Sequence, residues 1–100
     1  MPRIFTPLTY CKVPTSKMHV DTAKYYVAIG MEQWEESGGN LVIKVMMEYD
    51  GKLTGRMAPS YPITQSDIYS EDWERVCEAV EAVKKAYKNG EHGEITLKKD

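Results

Sequence analysis

The stretch Leu41-Val42-Ile43-Lys44-Val45-Met46-Met47-Glu48-Tyr49-Asp50-Gly51-Lys52 decides the architecture. Its odd-numbered residues Leu41, Ile43, Val45, Met47 and Tyr49 are apolar without exception, and Val42, Lys44, Met46 and Glu48 alternate with them. A period of two with one uniformly apolar parity predicts a strand that has one face in a core. Asp50-Gly51 follows directly, a dipeptide suited to the positive φ angles of a two-residue hairpin. The chain is therefore expected to return in a strand over 52–58, with Leu53 and Met57 toward the core and Lys52, Thr54 and Arg56 away from it. Gly55, on the core parity, marks a bulge or a close approach of backbone.

The same alternation runs upstream. Over 24–33, Tyr25, Val27, Ile29 and Met31 share one parity, and Lys24, Tyr26, Ala28, Gly30 and Glu32 share the other. Glu35-Glu36-Ser37-Gly38-Gly39-Asn40 has the composition of a hairpin loop joining this strand to the next. Residues 4–13 are rich in β-branched and aromatic types but contain Pro7, which has no N–H for a central ladder, so an edge or bulged strand is expected. Residues 14–22 form a loop. Downstream, Pro59 and Pro62 end the fourth strand and 60–69 make a connection.

A helix then begins at Ser70, a good N-cap, with Glu71, Asp72 and Glu74 at its positive end. It ends with Lys84, Lys85 and Lys88, and Gly90 stands where a terminating glycine belongs. Trp73, Val76, Cys77, Val80, Val83 and Tyr87 recur at spacings of three and four, an apolar stripe whose burial is worth roughly 10 kcal/mol in gross transfer terms. Residues 94–98 add a short last strand or a tail. The expected fold is α+β: an antiparallel sheet of four or five strands packed against one C-terminal helix.

One hundred residues are enough for a single domain over 1–100, and 42% hydrophobic with 28% charged residues places the chain among folding globular sequences. Thirteen basic residues against fifteen acidic ones give a net charge of −2, so no global basic field draws nucleic acid or membrane. That balance hides opposed patches: residues 3–27 carry four basic and one acidic residue, and 67–81 carry six acidic and one basic. The N-terminal Met1-Pro2-Arg3-Ile4-Phe5-Thr6-Pro7 has no apolar run of signal-peptide length and nowhere do eighteen apolar residues follow one another, which points to the cytoplasm. Cys11 and Cys77, the two cysteines, are expected to be reduced and buried.

Few chemistries find their residues here. His19 and His92 are isolated from each other and from the cysteines, so no metal site is expected. Gly51-Lys52-Leu53 lacks both the upstream glycine and the following Ser or Thr of a phosphate loop. Cys77 lies on the helix stripe, where burial makes a thiol inert, and the acids Asp67, Glu71, Asp72 and Glu74 are explained mainly by helix capping. No catalytic residue and no cofactor are assigned.

Surface carries the functional expectation. One helix covers one sheet face, and by parity the other bears Tyr26, Ala28, Val42 and Met46 with Lys24, Lys44, Lys52, Arg56, Glu32 and Glu48. Tyr26, Val42, Lys44, Met46 and Arg56 are the candidate binding residues. Such a face suits a homodimer or a protein partner first. Basic residues beside an aromatic also meet the requirements of single-stranded nucleic acid, which the net charge disfavours.

Two resemblances bear on this. Ala23-Lys24, then Ile29-Gly30-Met31-Glu32-Gln33-Trp34, then Lys44-Val45 and Gly51 resemble a small bacterial domain family of unknown function, over about a third of the chain. That resemblance implies no activity. Four strands followed by a helix opened by acidic residues and Trp73 are similar to the PC4-like single-stranded-DNA-binding fold. Its members dimerise through the helix and bind DNA on a strongly basic sheet, so the resemblance implies nucleic acid as the ligand of the sheet face.

Overall fold

The computed structural model describes residues 3–16, 22–34, 38–54, 58–63 and 68–97. Five strands and one helix follow one another: β1 (Arg3–Pro14), β2 (Ala23–Trp34), β3 (Asn40–Tyr49), β4 (Lys52–Thr54), α1 (Glu71–Lys88) and β5 (Gly93–Ile95). They form one sheet in the order β4-β3-β2-β1-β5 with the helix against it, the α+β layout expected. The direction of the last strand differs from the expectation. The pairs β1–β2, β2–β3 and β3–β4 are antiparallel, but β5 runs parallel to β1 through Thr9, Tyr10 and Cys11, so the sheet is mixed. The long return through α1 makes this parallel pairing available, since a crossover can bring the chain back in the same direction.

Alternation on β2 and β3 holds throughout. Tyr25 lies opposite Met47, Val27 opposite Val45 and Ile29 opposite Ile43 on the helix side. Tyr26 opposite Met46, Ala28 opposite Lys44 and Gly30 opposite Val42 lie on the other. Pro7 sits at a bulge, as residues 4–13 predicted: the register with β2 shifts between Pro7 and Thr9, leaving Leu8 without an opposite residue. The extra residue reverses parity along β1. Cys11 and Val13 face the helix above it, whereas Thr6 and Ile4, opposite Met31 and Gln33, take that side below it.

The Asp50-Gly51 turn forms as predicted, with φ of 52° and 81°. Its effect on parity is the reverse of the expectation. A two-residue turn places its flanking residues opposite each other, so Tyr49 pairs with Lys52 and Met47 with Thr54, while Leu53 lies beside Glu48 on the face away from the helix. Lys52 therefore leaves the predicted second face and Leu53 leaves the core. Gly55, Arg56 and Met57, with His19 and Asp67, lie outside the described residues.

Ser70 caps α1, its Oγ accepting the Trp73 N–H at 3.0 Å. At the other end Gly90 has φ 79°, its N–H reaches the Tyr87 carbonyl at 3.0 Å, and the Glu91 N–H reaches that of Ala86 at 2.9 Å. These are the two reversed bonds of a Schellman stop. The buried helix face is Asp72, Val76, Ala79, Val83 and Ala86, so it is rotated from the predicted stripe and Trp73 is left 49% exposed. Small Ala79 and Ala86 let the helix approach the sheet, while Cys77, Val80 and Tyr87 flank the contact half-buried. Val76, Ala79 and Val83 meet Cys11, Val13, Tyr25, Val27, Ile29 and Met47 in the core. No helix among the described residues is long and apolar enough to cross a membrane.

Candidate binding surfaces of the sheet

The face away from the helix holds four of the five predicted binding residues, and its chemistry is largely satisfied within the chain. Tyr26 is only 5% exposed, because Tyr10 of β1 stacks on it with ring centres 4.9 Å apart and planes 19° from parallel. Burial pushes its hydroxyl up to about 12, with Tyr10 as the next cause. Lys44 Nζ lies 2.5 Å from Glu32 Oε2 and 5.1 Å from the centre of the Phe5 ring. Lys12 pairs with buried Glu48 at 3.3 Å, and that hydrogen bond raises the Lys12 pKa. Val42 and Met46 are half-buried. Arg56, the fifth residue, lies outside the described residues.

A second cluster lies buried under the helix start. Asp72, 1% exposed, accepts three hydrogen bonds: from the Tyr25 hydroxyl at 2.6 Å, from the Ser16 N–H at 3.1 Å and from Arg75 Nη2 at 2.7 Å. Arg75 also bonds Glu71 through Nη1 and reaches the Pro14 carbonyl at 3.5 Å. Burial and the bond to Asp72 raise the Tyr25 pKa. Tyr61 stacks on Tyr25 at 5.0 Å and meets Trp73 edge-on at 5.1 Å. These bonds run from the end of β1 and the residues just after it, and from Tyr25 of β2, to the first turns of α1, so the network acts as a structural tie.

The third surface is on the helix side, beyond the reach of the helix. At ~3.3 Å per residue the 12 residues of β2 extend roughly 40 Å, against roughly 27 Å for the 18 residues of α1 at ~1.5 Å each. α1 packs over β1 and β2, and at the far end of that face several described apolar side chains are exposed. There Met31 lies opposite Leu41 and Ile43 opposite Ile29. Ile4 is 60% exposed, Leu41 50%, Ile43 44% and Met31 38%. Leu41, Ile43 and Met31 have core parity, and sequence reasoning placed them inside on that ground. Comparing strand length with helix length was the signal that they extend past the cover.

The chain matches no protein-family model, and no curated protein or solved structure matches it either. These three surfaces are therefore what bears on function.

Proposed function

We propose that this chain is a non-catalytic association module that binds a second protein surface, its own copy included, through the bare helix-side end of the sheet. The observation that carries this is the group Ile4, Met31, Leu41 and Ile43, all on one face and each more than a third exposed. Contiguous apolar side chains at the end of a sheet are costly to leave in water and mark association sites. Covering a half-exposed side chain of this size returns about 1 kcal/mol, so two copies gain roughly 8 kcal/mol gross from these residues. Association costs about 4–15 kcal/mol in lost freedom, so the apolar term covers the lower part of that range and polar contacts must supply the rest.

The face away from the helix gives nucleic acid less support. Lys12 and Lys44 are matched by Glu48 and Glu32, and the broad side of Tyr26 is taken by Tyr10.

Light scattering on the full chain across the micromolar range tests the association reading. A mass near two chains is expected, falling to one chain in the double variant Met31→Glu with Leu41→Lys, whose opposite charges face each other across β2 and β3 and make the exposed face polar without repulsion. A mass of one chain at every concentration would overturn it.

A further inference from the structure

We propose that Asn89, which caps the C-terminal end of α1, is a site of spontaneous covalent modification. Its side-chain amide is lost to attack by the Gly90 backbone nitrogen at a rate set by opening of the helix end, and the isoaspartyl product unfastens β5 from β1. The site is independent of the association surface.

The chain has two asparagines, Asn40 and Asn89. Attack on an asparagine Cγ needs the next backbone nitrogen to reach it, and a side chain on that next residue obstructs the approach. Asn40 starts β3 and precedes Leu41, whereas Asn89 is exposed and precedes Gly90, which has no Cβ to obstruct. The Gly90 nitrogen bonds to Cγ, and the side-chain NH2 leaves as ammonia with the Gly90 amide proton, closing a five-membered imide. Solvent water then opens the imide at either carbonyl, giving aspartate or isoaspartate at position 89. In the isoaspartate the main chain runs through Cβ and Cγ and is longer by one carbon.

The folded helix end withholds this reaction. Asn89 has φ −85° and ψ 6°, and a ψ near zero eclipses the Gly90 nitrogen with the Asn89 nitrogen. Ring closure needs it eclipsed with Cβ instead, so the peptide plane between the two residues has to turn. That turn breaks the Gly90 N–H bond to the Tyr87 carbonyl at 3.0 Å and pulls on the Glu91 N–H held by the Ala86 carbonyl at 2.9 Å. Modification therefore waits on fraying of the Schellman stop, and helix ends open more readily than the fold as a whole.

The residues after Asn89 make the product matter. The Thr9 hydroxyl, buried, donates to the Glu91 carbonyl at 2.7 Å, and His92 stacks on Tyr87 with ring centres 5.6 Å apart. β5 then places Ile95 beside Cys11, which is 1% exposed, and Ile95 and Leu97 pack against the core that holds Cys11. An extra main-chain carbon between the helix and these anchors cannot satisfy both. The three residues of β5 are the weaker hold against a helix of 18, so β5 yields and the flank of Cys11 opens.

Ageing the full chain at mildly alkaline pH, folded and in urea, tests this. Peptide 82–91, released by a glutamate-specific protease, is followed for the amide-to-acid mass gain. Conversion at Asn89 is expected to be at least about tenfold slower in the folded chain than in urea, and at Asn40 slower than at Asn89 in urea. No conversion at Asn89 in urea overturns the site, and equal rates folded and in urea overturn its control by the helix end. The refolded isoaspartyl chain, with its helix signal kept in circular dichroism, is expected to react with a thiol reagent at Cys11 about tenfold faster than fresh chain. Unchanged Cys11 reactivity overturns the unfastening of β5, and loss of the helix signal overturns its confinement to β5. The Asn89→Gln chain, whose longer side chain closes no five-membered ring, is expected to age without this gain, and an equal gain there overturns the assignment to Asn89.

Discussion

The Tyr25 hydroxyl donates to Asp72 Oδ2 at 2.6 Å, fastening the start of β2 to the first turn of α1. The Ser60 carbonyl is a second acceptor at 2.8 Å, but the hydroxyl has one proton, and a carboxylate held by Arg75 is the stronger claimant. Tyr25→Phe leaves Asp72 with its bonds from Ser16 and Arg75 and is expected to cost about 1–3 kcal/mol. Asp72→Ala removes the buried carboxylate from Tyr25, Ser16 and Arg75 and is expected to cost about 3 kcal/mol, the lower end for a broken buried pair because Arg75 keeps Glu71 and some exposure. In a double-mutant cycle followed by urea unfolding, the two changes should couple by at least about 0.5 kcal/mol. Strict additivity would show that the hydroxyl and the carboxylate act independently.

Alkaline pH should weaken the fold through the same and neighbouring phenols. Tyr25, Tyr26 and Tyr61 are all held above the ordinary value of 10.0, burial being the first cause in each, and Tyr26 reaches about 12. Between pH 10 and 12 the unfolded chain therefore loses protons that the folded chain keeps, and stability falls as pH rises. Below pH 10 both states keep these protons and the contribution is complete. Urea midpoints measured from pH 9 to pH 12 should decline, and Tyr26→Phe should flatten the decline. A midpoint that stays level to pH 12 would refute the assignment.

The helix ends make a finer prediction. Ser70 Oγ satisfies the Trp73 N–H, so Ser70→Ala is expected to cost about 1 kcal/mol while Ser70→Gly costs only a few tenths. Gly90→Ala meets open space but must hold φ near 79°, for about 1 kcal/mol of strain. Thermal unfolding of the three variants should rank Ser70→Gly nearest the parent. A Ser70→Ala variant as stable as the parent would show that the cap contributes nothing to the helix.

Local patterns in the sequence carried much of the fold, because alternation, turn dipeptides and caps act over a few residues. Tyr25 and Met47 are opposite each other in the core, Ser70 and Gly90 bound the helix, and Pro7 marks a bulge, all as their residue types imply. What depended on three-dimensional placement was illegible. Leu53 changed sides because parity must be carried across a turn by opposition, not by residue number. Asp72 looked like one more acid at a helix start, and only the meeting of Tyr25, Ser16 and Arg75 makes it the centre of a buried network. Tyr26 was placed on the right face, but its stacking with Tyr10 depended on how β1 and β2 align. Ile43 and Leu41 carry the apolar parity of a core, and their exposure follows from a helix shorter than the strands it covers.

Gly30 is where the bulge and the bare face meet. A Cβ there would lie 2.3 Å from the Thr6 carbonyl oxygen and 2.8 Å from the Pro7 Cα, both backbone atoms that cannot swing aside. The absence of a side chain is what lets β1 pass this close and shift its register, and the shift brings Ile4 onto the helix side beside the Met31 region. Gly30→Ala must force β1 and β2 apart at this point and is expected to cost about 1–3 kcal/mol in urea unfolding. Gly38→Ala meets nothing within 4 Å and serves as the control, expected within about 0.5 kcal/mol of the parent. Because the displaced β1 segment carries Ile4, the Gly30 variant should also associate more weakly than the Gly38 variant in light scattering, under conditions where both are folded. Equal stabilities in the two variants would mean that the close approach of Thr6 and Pro7 to Gly30 does not constrain the sheet.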